Sequence, residues 1–196
     1  WKFRYSNAMS LGPLEHGQVV SDMEKGAEWW HQKKMGGGAY LDYCSYGACL
    51  SRWYIGQPAV GTYGLTANFL STYGDAEDNG VVVARFPKAV AILEGSWTTP
   101  HRGIPNGPIV YGSEGVLVCD GAGKGLISIY RKGTTTPTVY DGGTLPEGRE
   151  TIAKEFMHHL QTGEPLHPTL DIPVNLDAMA ILDAGIRSAD SSCFEL

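Results

Sequence analysis

A carboxylate and a phenol lie four residues apart in one segment of this sequence. Asp42 and Tyr46 belong to residues 39–55, which contain no proline, are apolar nearly all round and carry only two charged residues, Asp42 and Arg52. A helix of this composition is predicted to be buried. Residues four apart share one face of an α-helix, so the two side chains would be neighbours. A buried carboxylate beside a phenol suits proton transfer, in which the phenol exchanges the proton and the acid holds the substrate or orients the phenol.

An ordinary structural role explains the same two residues. A carboxylate in the first turn of a helix is stabilised by the helix dipole, and a tyrosine on an apolar helix is commonly a core residue with a satisfied hydroxyl. Spacing alone favours this structural interpretation, because an Asp and a Tyr four residues apart are a weak signal by themselves.

The residues around the pair predict one helix followed by many strands. Three glycines, Gly36 to Gly38, lead into the helix, and Gly56-Gln57-Pro58 ends it, since glycine followed by proline is a helix-stop signal. Segments rich in Val, Ile, Thr and aromatic residues then favour strands bounded by turn residues. The predicted strands are 1–9, 59–73, 79–86, 89–97, 109–112, 115–119, 126–131 and 137–140, and two further helices are predicted at 150–162 and 174–190. Residues 10–35 are predicted to be irregular and 100–108 to form a loop.

Closely spaced strands joined by hairpins imply an antiparallel sheet. Helices at both ends of such a run must bury their apolar stripes against it. The sequence therefore predicts an α+β fold, with an open, mostly antiparallel β-sheet and helices packed on one face.

Length and composition are typical of one globular domain. The chain has 196 residues, of which 42% are hydrophobic and 18% charged, with a net charge of -6. An acidic chain without a basic cluster does not suit nucleic-acid binding. No apolar run reaches the roughly 18 residues of a membrane span. The six histidines are dispersed, and none of the four cysteines forms a Cys-x-x-Cys pair, so we expect no metal site and reduced thiols in a cytoplasmic protein.

The start of the chain opens inside a predicted strand, without an initiator Met or a signal peptide. This predicts that residues 1–196 form a single domain excerpted from a longer chain.

The segment around the pair resembles the glucose–fructose oxidoreductase / inositol dehydrogenase (Gfo/Idh/MocA) family of oxidoreductases. The resemblance is carried by Gly-Gly-Gly-Ala-x-x-Asp-x-x-x-Tyr at 36–46, Arg52-Trp53 and the Gly-x-Pro stop at 56–58. Weaker matches are Glu94-Gly95-Ser96-Trp97, the turn at 111–115 and the two terminal helices. The resemblance covers essentially the whole chain.

This resemblance implies the substrate-side, C-terminal domain of an NAD(P)-dependent sugar or polyol oxidoreductase. The fold would be of the glyceraldehyde-3-phosphate-dehydrogenase C-terminal type, with the Rossmann domain absent from this chain. Asp42 would orient the substrate and Tyr46 would be the acid/base. A free tyrosine has a pKa of about 10 and needs a nearby cation to act at neutral pH, and the family supplies that cation as a Lys of the N-terminal domain.

NAD or NADP is expected in the full-length protein, and none is expected to bind this chain. The glycine-rich run 121–125 precedes a strand rather than a helix, so it does not form a dinucleotide-binding loop. Gly37 and Gly38, which lack a Cβ, could let the backbone approach a nicotinamide ring closely; a plain turn into the helix is the alternative.

Two further residues are predicted to bind the substrate. Trp30 could stack on a sugar face or simply cover the core. Arg102 lies in the Pro-rich loop and could line the cleft or remain solvated. The expected partners are a small sugar or polyol, the N-terminal Rossmann domain and further copies of the chain through the sheet, with no nucleic acid and no membrane. A non-catalytic family member that serves as a binding or oligomerisation module is the alternative function.

Overall fold

The computed structural model describes residues 2–8, 20–99, 107–119 and 125–196. Its helices are α1 (Asp22–Ala27), α2 (Ala39–Ile55), α3 (Ile152–Thr162) and α4 (Ile172–Ser191). The strands are β1 (Lys2–Ala8), β2 (Gly61–Ala67), β3 (Asn79–Phe86), β4 (Ala89–Ser96), β5 (Ile109–Gly112), β6 (Gly115–Cys119), β7 (Leu126–Arg131) and β8 (Thr138–Asp141). Short 3₁₀ turns occupy Trp29–His31, Lys33–Met35 and Pro168–Leu170.

All eight strands form one sheet in the order β2-β3-β4-β1-β5-β6-β7-β8. Each neighbouring pair is antiparallel except β1 with β4, which run parallel. With α2 and α4 packed against one face of the β1–β4 half, the structure confirms the predicted α+β fold with a mostly antiparallel sheet. No helix in the described ranges is long and apolar enough to cross a membrane.

The helix α2 lies very close to the sheet because two glycines face it. A Cβ on Gly80 of β3 would lie 2.7 Å from the Cβ of Tyr40, and one on Gly95 of β4 would lie 2.7 Å from the carbonyl oxygen of Ala39. Tyr40 is fully buried, and its hydroxyl donates a hydrogen bond of 3.1 Å to the carbonyl of Leu182 in α4. These contacts fix where the first turn of α2 lies on the sheet.

The prediction that α2 is buried nearly all round is wrong for one of its faces. The sheet and α4 cover two sides of the helix, and the core includes Cys44 and Ala48 from it. The side that carries Asp42 and Tyr46 faces outward, and 54% of the Tyr46 side chain is exposed.

The predicted strand 59–73 is too long, because the chain leaves the sheet after Ala67. The buried carboxylate of Asp78 accepts hydrogen bonds from the backbone N–H groups of three consecutive residues, Phe69, Leu70 and Ser71, at 2.7–2.8 Å. Burial alone would raise the pKa of Asp78, but these hydrogen bonds and one from the Asn79 side chain together lower it. A strand cannot continue where its N–H groups bind a single carboxylate.

The segment 10–35, predicted to be irregular, contains a short helix. Ser21 and Glu24 form a reciprocal capping box at the start of α1. The chain then passes through the 3₁₀ turns Trp29–His31 and Lys33–Met35 and enters α2 through the three glycines.

Candidate active site

The three glycines bring the chain to the start of α2 through a narrow space. Gly36 and Gly38 have φ angles of 79° and 120°, where a side chain would be strained. A Cβ on Gly37 would collide with the backbone carbonyl of Trp30, and one on Gly38 would collide with the carboxylate of Glu77. The glycines are therefore required by the packing of the chain itself. Whether Gly37 and Gly38 also approach a cofactor stays a prediction.

Asp42 is held by a residue that lies far away in the sequence. The indole Nε1 of Trp97 donates a hydrogen bond of 2.9 Å to Oδ2 of Asp42. Trp97 is 1% exposed, and a buried indole N–H requires an acceptor. This contact was not predicted from the sequence: a tryptophan at the end of a predicted strand was the available signal, but its partner could not be inferred.

Tyr46 lies one turn further along the same exposed face of α2. Its hydroxyl forms no hydrogen bond with any residue in the described ranges, so the structure does not join it to Asp42. The phenol is accessible to a ligand or to a covering domain.

A pocket of about 430 Å³ opens beside the N-terminus of α2. It is lined by Glu28, Trp29, Trp30, Gly36, Gly37, Gly38, Leu41, Asp42 and Trp97. Four predicted site residues, Trp30, Gly37, Gly38 and Asp42, thus come together in its wall. Tyr46 is not part of the wall, and Arg102 lies outside the described residues.

Glu28 is a second carboxylate in the pocket wall that the sequence analysis missed. The hydroxyl of Tyr73 donates a hydrogen bond to Oε2 of Glu28. Behind them His31 is buried between the rings of Tyr73 and Trp97, with centroid distances of 4.5 and 5.2 Å. Burial lowers the pKa of His31, although Glu28 and Asp78 oppose the shift, so His31 is neutral at pH 7.

The remaining candidate residues have structural partners. Arg52, at the far end of α2, forms an ion pair of 2.6 Å with Asp177 of α4. All four cysteines are free thiols; Cys44 is buried and Cys193 is exposed. No group of three or more His, Cys, Asp or Glu side chains that could hold a metal ion occurs in the part of the chain that the structure describes.

Comparison with known proteins shows the family to which the chain belongs. The family model described as the GFO/IDH/MocA C-terminal domain matches residues 7–118. The chain belongs to the GFO/IDH/MocA family. This confirms the resemblance carried by the glycine run and the residues after it. No curated protein matches the sequence.

Solved oxidoreductase structures share the fold of this GFO/IDH/MocA domain. An NAD binding oxidoreductase from Klebsiella pneumoniae is 17% identical with a TM-score of 0.76, and the match covers 98% of this chain and 57% of that protein. A levoglucosan dehydrogenase in complex with NADH and levoglucosan is 16% identical, with a TM-score of 0.76 and the same coverages of 98% and 57%. An aldose-aldose oxidoreductase from Caulobacter crescentus complexed with glycerol is 17% identical, with a TM-score of 0.75 and coverages of 100% and 55%.

These matches describe a shared domain rather than a shared whole protein. The chain spans slightly more than half the length of each of these solved structures. The identities of 16–17% establish the common fold.

The steric role of the glycine run gives a testable expectation. Replacing Gly37 by Ala places a Cβ against the rigid backbone carbonyl of Trp30, so we expect the free energy of unfolding to fall by about 2–4 kcal/mol in urea denaturation. Gly26, inside α1, has open space where the methyl group of an alanine would lie, and Gly26→Ala should be neutral or stabilising by about 0.5–1 kcal/mol. Equal effects of the two substitutions would contradict the steric explanation.

Proposed function

We propose that this chain is the substrate side of an NAD(P)-dependent oxidoreductase that acts on a sugar, a polyol or a related hydroxy or carbonyl compound. The observation that carries the proposal is the pocket at the start of α2, where the carboxylate of Asp42 is fixed by Trp97 and faces the glycine run. The family membership and the sugar-acting proteins among the solved relatives support the substrate class.

Asp42 and Tyr46 have complementary roles in this proposal. Asp42 accepts a hydrogen bond from a substrate hydroxyl and so orients the reacting carbon. Tyr46, one helical turn away and accessible, exchanges the proton of the hydroxyl that becomes a carbonyl, or returns it in the reverse direction. NAD(P), when bound, accepts or supplies the hydride.

The residues of the pocket fit the nicotinamide end of such a cofactor and not its phosphates. Gly37 and Gly38 contribute backbone to the pocket wall, against which a flat ring could lie. Glu28 and Asp42 would repel a pyrophosphate. The phosphates must therefore be bound elsewhere, and we propose that an N-terminal Rossmann domain binds them and that this chain alone binds no NAD(P).

The open face of α2 supports this two-domain arrangement. Tyr46 and Trp53, with 54% and 37% of their surface exposed, lie on a helix whose composition is that of a buried one. A covering domain would bury this face and bring a cation close to the phenol of Tyr46.

The cytoplasm, where no disulfides are needed, remains the proposed location of the protein.

We also propose that the protein associates with copies of itself through the sheet. The strands alternate, so the face turned away from the helices presents Leu65, Val83 and Val90, which are 57%, 37% and 39% exposed. Exposed apolar side chains on neighbouring strands are typical of an interface.

Substitution of Tyr46 tests the proton-transfer role. In the protein that carries this chain, we expect nicotinamide-dependent turnover with a panel of sugars and polyols, and about a 100-fold or larger loss of kcat for Tyr46→Phe. Tyr140→Phe is the matched control, since Tyr140 is a comparably exposed tyrosine on β8, and it should keep wild-type turnover. Wild-type turnover of Tyr46→Phe would refute the role; a failure to bind any nicotinamide cofactor would favour the non-catalytic binding module instead.

A charge on the open face of the sheet tests the association. Val83→Lys should shift the sedimentation profile at micromolar concentration toward the monomer, because a lysine cannot be desolvated there at low cost. Val60→Lys, at a comparably exposed site before β2, should leave the profile unchanged. A wild-type protein that sediments as a monomer would contradict association through the sheet.

A further inference from the structure

We infer that Glu28 determines the specificity of the pocket, and that with Asp42 it selects uncharged, polyhydroxylated ligands over ligands of the same size that carry a carboxylate. The inference deepens the proposed function and rests on the same pocket. It assigns a role to a residue that precedes the glycine run and carries no recognisable motif.

Glu28 is anchored through only one of its two carboxylate oxygens. Oε2 accepts the hydrogen bond from the Tyr73 hydroxyl, while Nε2 of His31, at 3.6 Å from the same oxygen, is too far away for a hydrogen bond. Burial and the contact with Glu28 raise the pKa of Tyr73, so the phenol stays protonated and remains a donor. Oε1 accepts no hydrogen bond from any residue in the described part of the chain, and Glu28 lines the pocket.

Asp42 is held in the same way. Its Oδ2 accepts the hydrogen bond from Trp97, and its Oδ1 has no donor among the described residues. The pocket wall thus contains two carboxylates, each oriented by an aromatic side chain and each with one oxygen left for a ligand. Ionised carboxylates are acceptors only, so their natural ligand groups are donors such as hydroxyls.

The charge of the wall disfavours an anionic ligand. The lining residues that the structure describes include two acids and no Lys or Arg. His31, whose Nε2 lies 3.6 Å from Oε2 of Glu28, is 3% exposed and is kept neutral because burial lowers its pKa. A ligand carboxylate would meet like charges at close range in a partly desolvated space, which is strongly unfavourable.

Aromatic side chains supply the apolar part of the wall. Trp29 and Trp30 are 51% and 36% exposed, and their rings cross at 81° with centroids 6.1 Å apart. Exposed indole faces can pack on the C–H faces of a sugar or polyol. A compact molecule with hydroxyls on its edges and C–H groups on its faces matches both the carboxylates and the indoles of the wall.

The test compares D-glucitol with D-gluconate, which share a six-carbon chain and differ at one end in a hydroxymethyl group or a carboxylate. Quenching of the pocket tryptophans reports binding without turnover. We expect glucitol to bind at least about 10-fold more tightly than gluconate at low salt, with a smaller difference at high salt. In Glu28→Gln this ratio should fall several-fold, chiefly because gluconate binds better, whereas Glu147→Gln, which changes an exposed carboxylate outside the pocket, should leave it unchanged.

A second variant tests the role of Glu28 independently, in case Glu28→Gln does not fold. Tyr73→Phe keeps the ring against His31 and the charge of Glu28 but removes its anchor. We expect it to weaken glucitol binding and to preserve the preference over gluconate. Equal affinities for the two ligands, an unchanged ratio in a folded Glu28→Gln protein, or no quenching by either ligand would overturn the inference.

The outcomes also separate this inference from the proposed enzyme function. If the protein shows NAD(P)-dependent turnover but binds glucitol no more tightly than gluconate, the role of Glu28 is contradicted and the enzyme function is not. If the protein binds glucitol more tightly than gluconate but shows no NAD(P)-dependent turnover, the enzyme function is contradicted and the role of Glu28 is not.

Discussion

The close contact of α2 with the sheet at Gly80 and Gly95 is the constraint on which the site depends. At both positions even a methyl group would overlap the first turn of the helix. Gly95 places Ala39 against β4, and Trp97, two residues later along the chain, is then close enough for its indole to reach Asp42. The glycine run enters from the other side, between the carbonyl of Trp30 and the side chain of Glu77. The pocket forms where these pieces of backbone meet.

This arrangement explains how a carboxylate on an open helix face keeps one orientation. An exposed aspartate would normally sample several rotamers, but the donor here belongs to a fully buried tryptophan that cannot move independently. Glu28 follows the same pattern with Tyr73 as its donor. Two oriented acceptors beside exposed indoles are a suitable environment for a hydroxylated ligand. Tyr46, for which we propose the proton transfer, lies one helical turn away on the exposed face.

Local sequence patterns were sufficient for most of the elements, although not for α1, and insufficient for the contacts between them. The bounds of α2, β3, β5, β6 and β7 agree with the prediction, because alternating apolar residues, turn residues and the Gly-x-Pro stop act within a few residues. The end of β2 was missed, since it depends on the carboxylate of Asp78. The exposed face of α2 was missed because its composition is suited to burial. Glu28 and Tyr73 had no local signal, and Trp97 had only a weak one, because the contacts of all three arise only when distant segments pack together.

The most direct test of the account is a crystal structure of the protein that carries this chain with a polyol bound. We expect the ligand beside Trp30, with a hydroxyl oxygen about 2.6–3.2 Å from Oδ1 of Asp42 and the Tyr46 hydroxyl directed at the reacting end of the molecule. A polyol bound elsewhere, with Asp42 in contact with Trp97 and solvent only, would contradict the account.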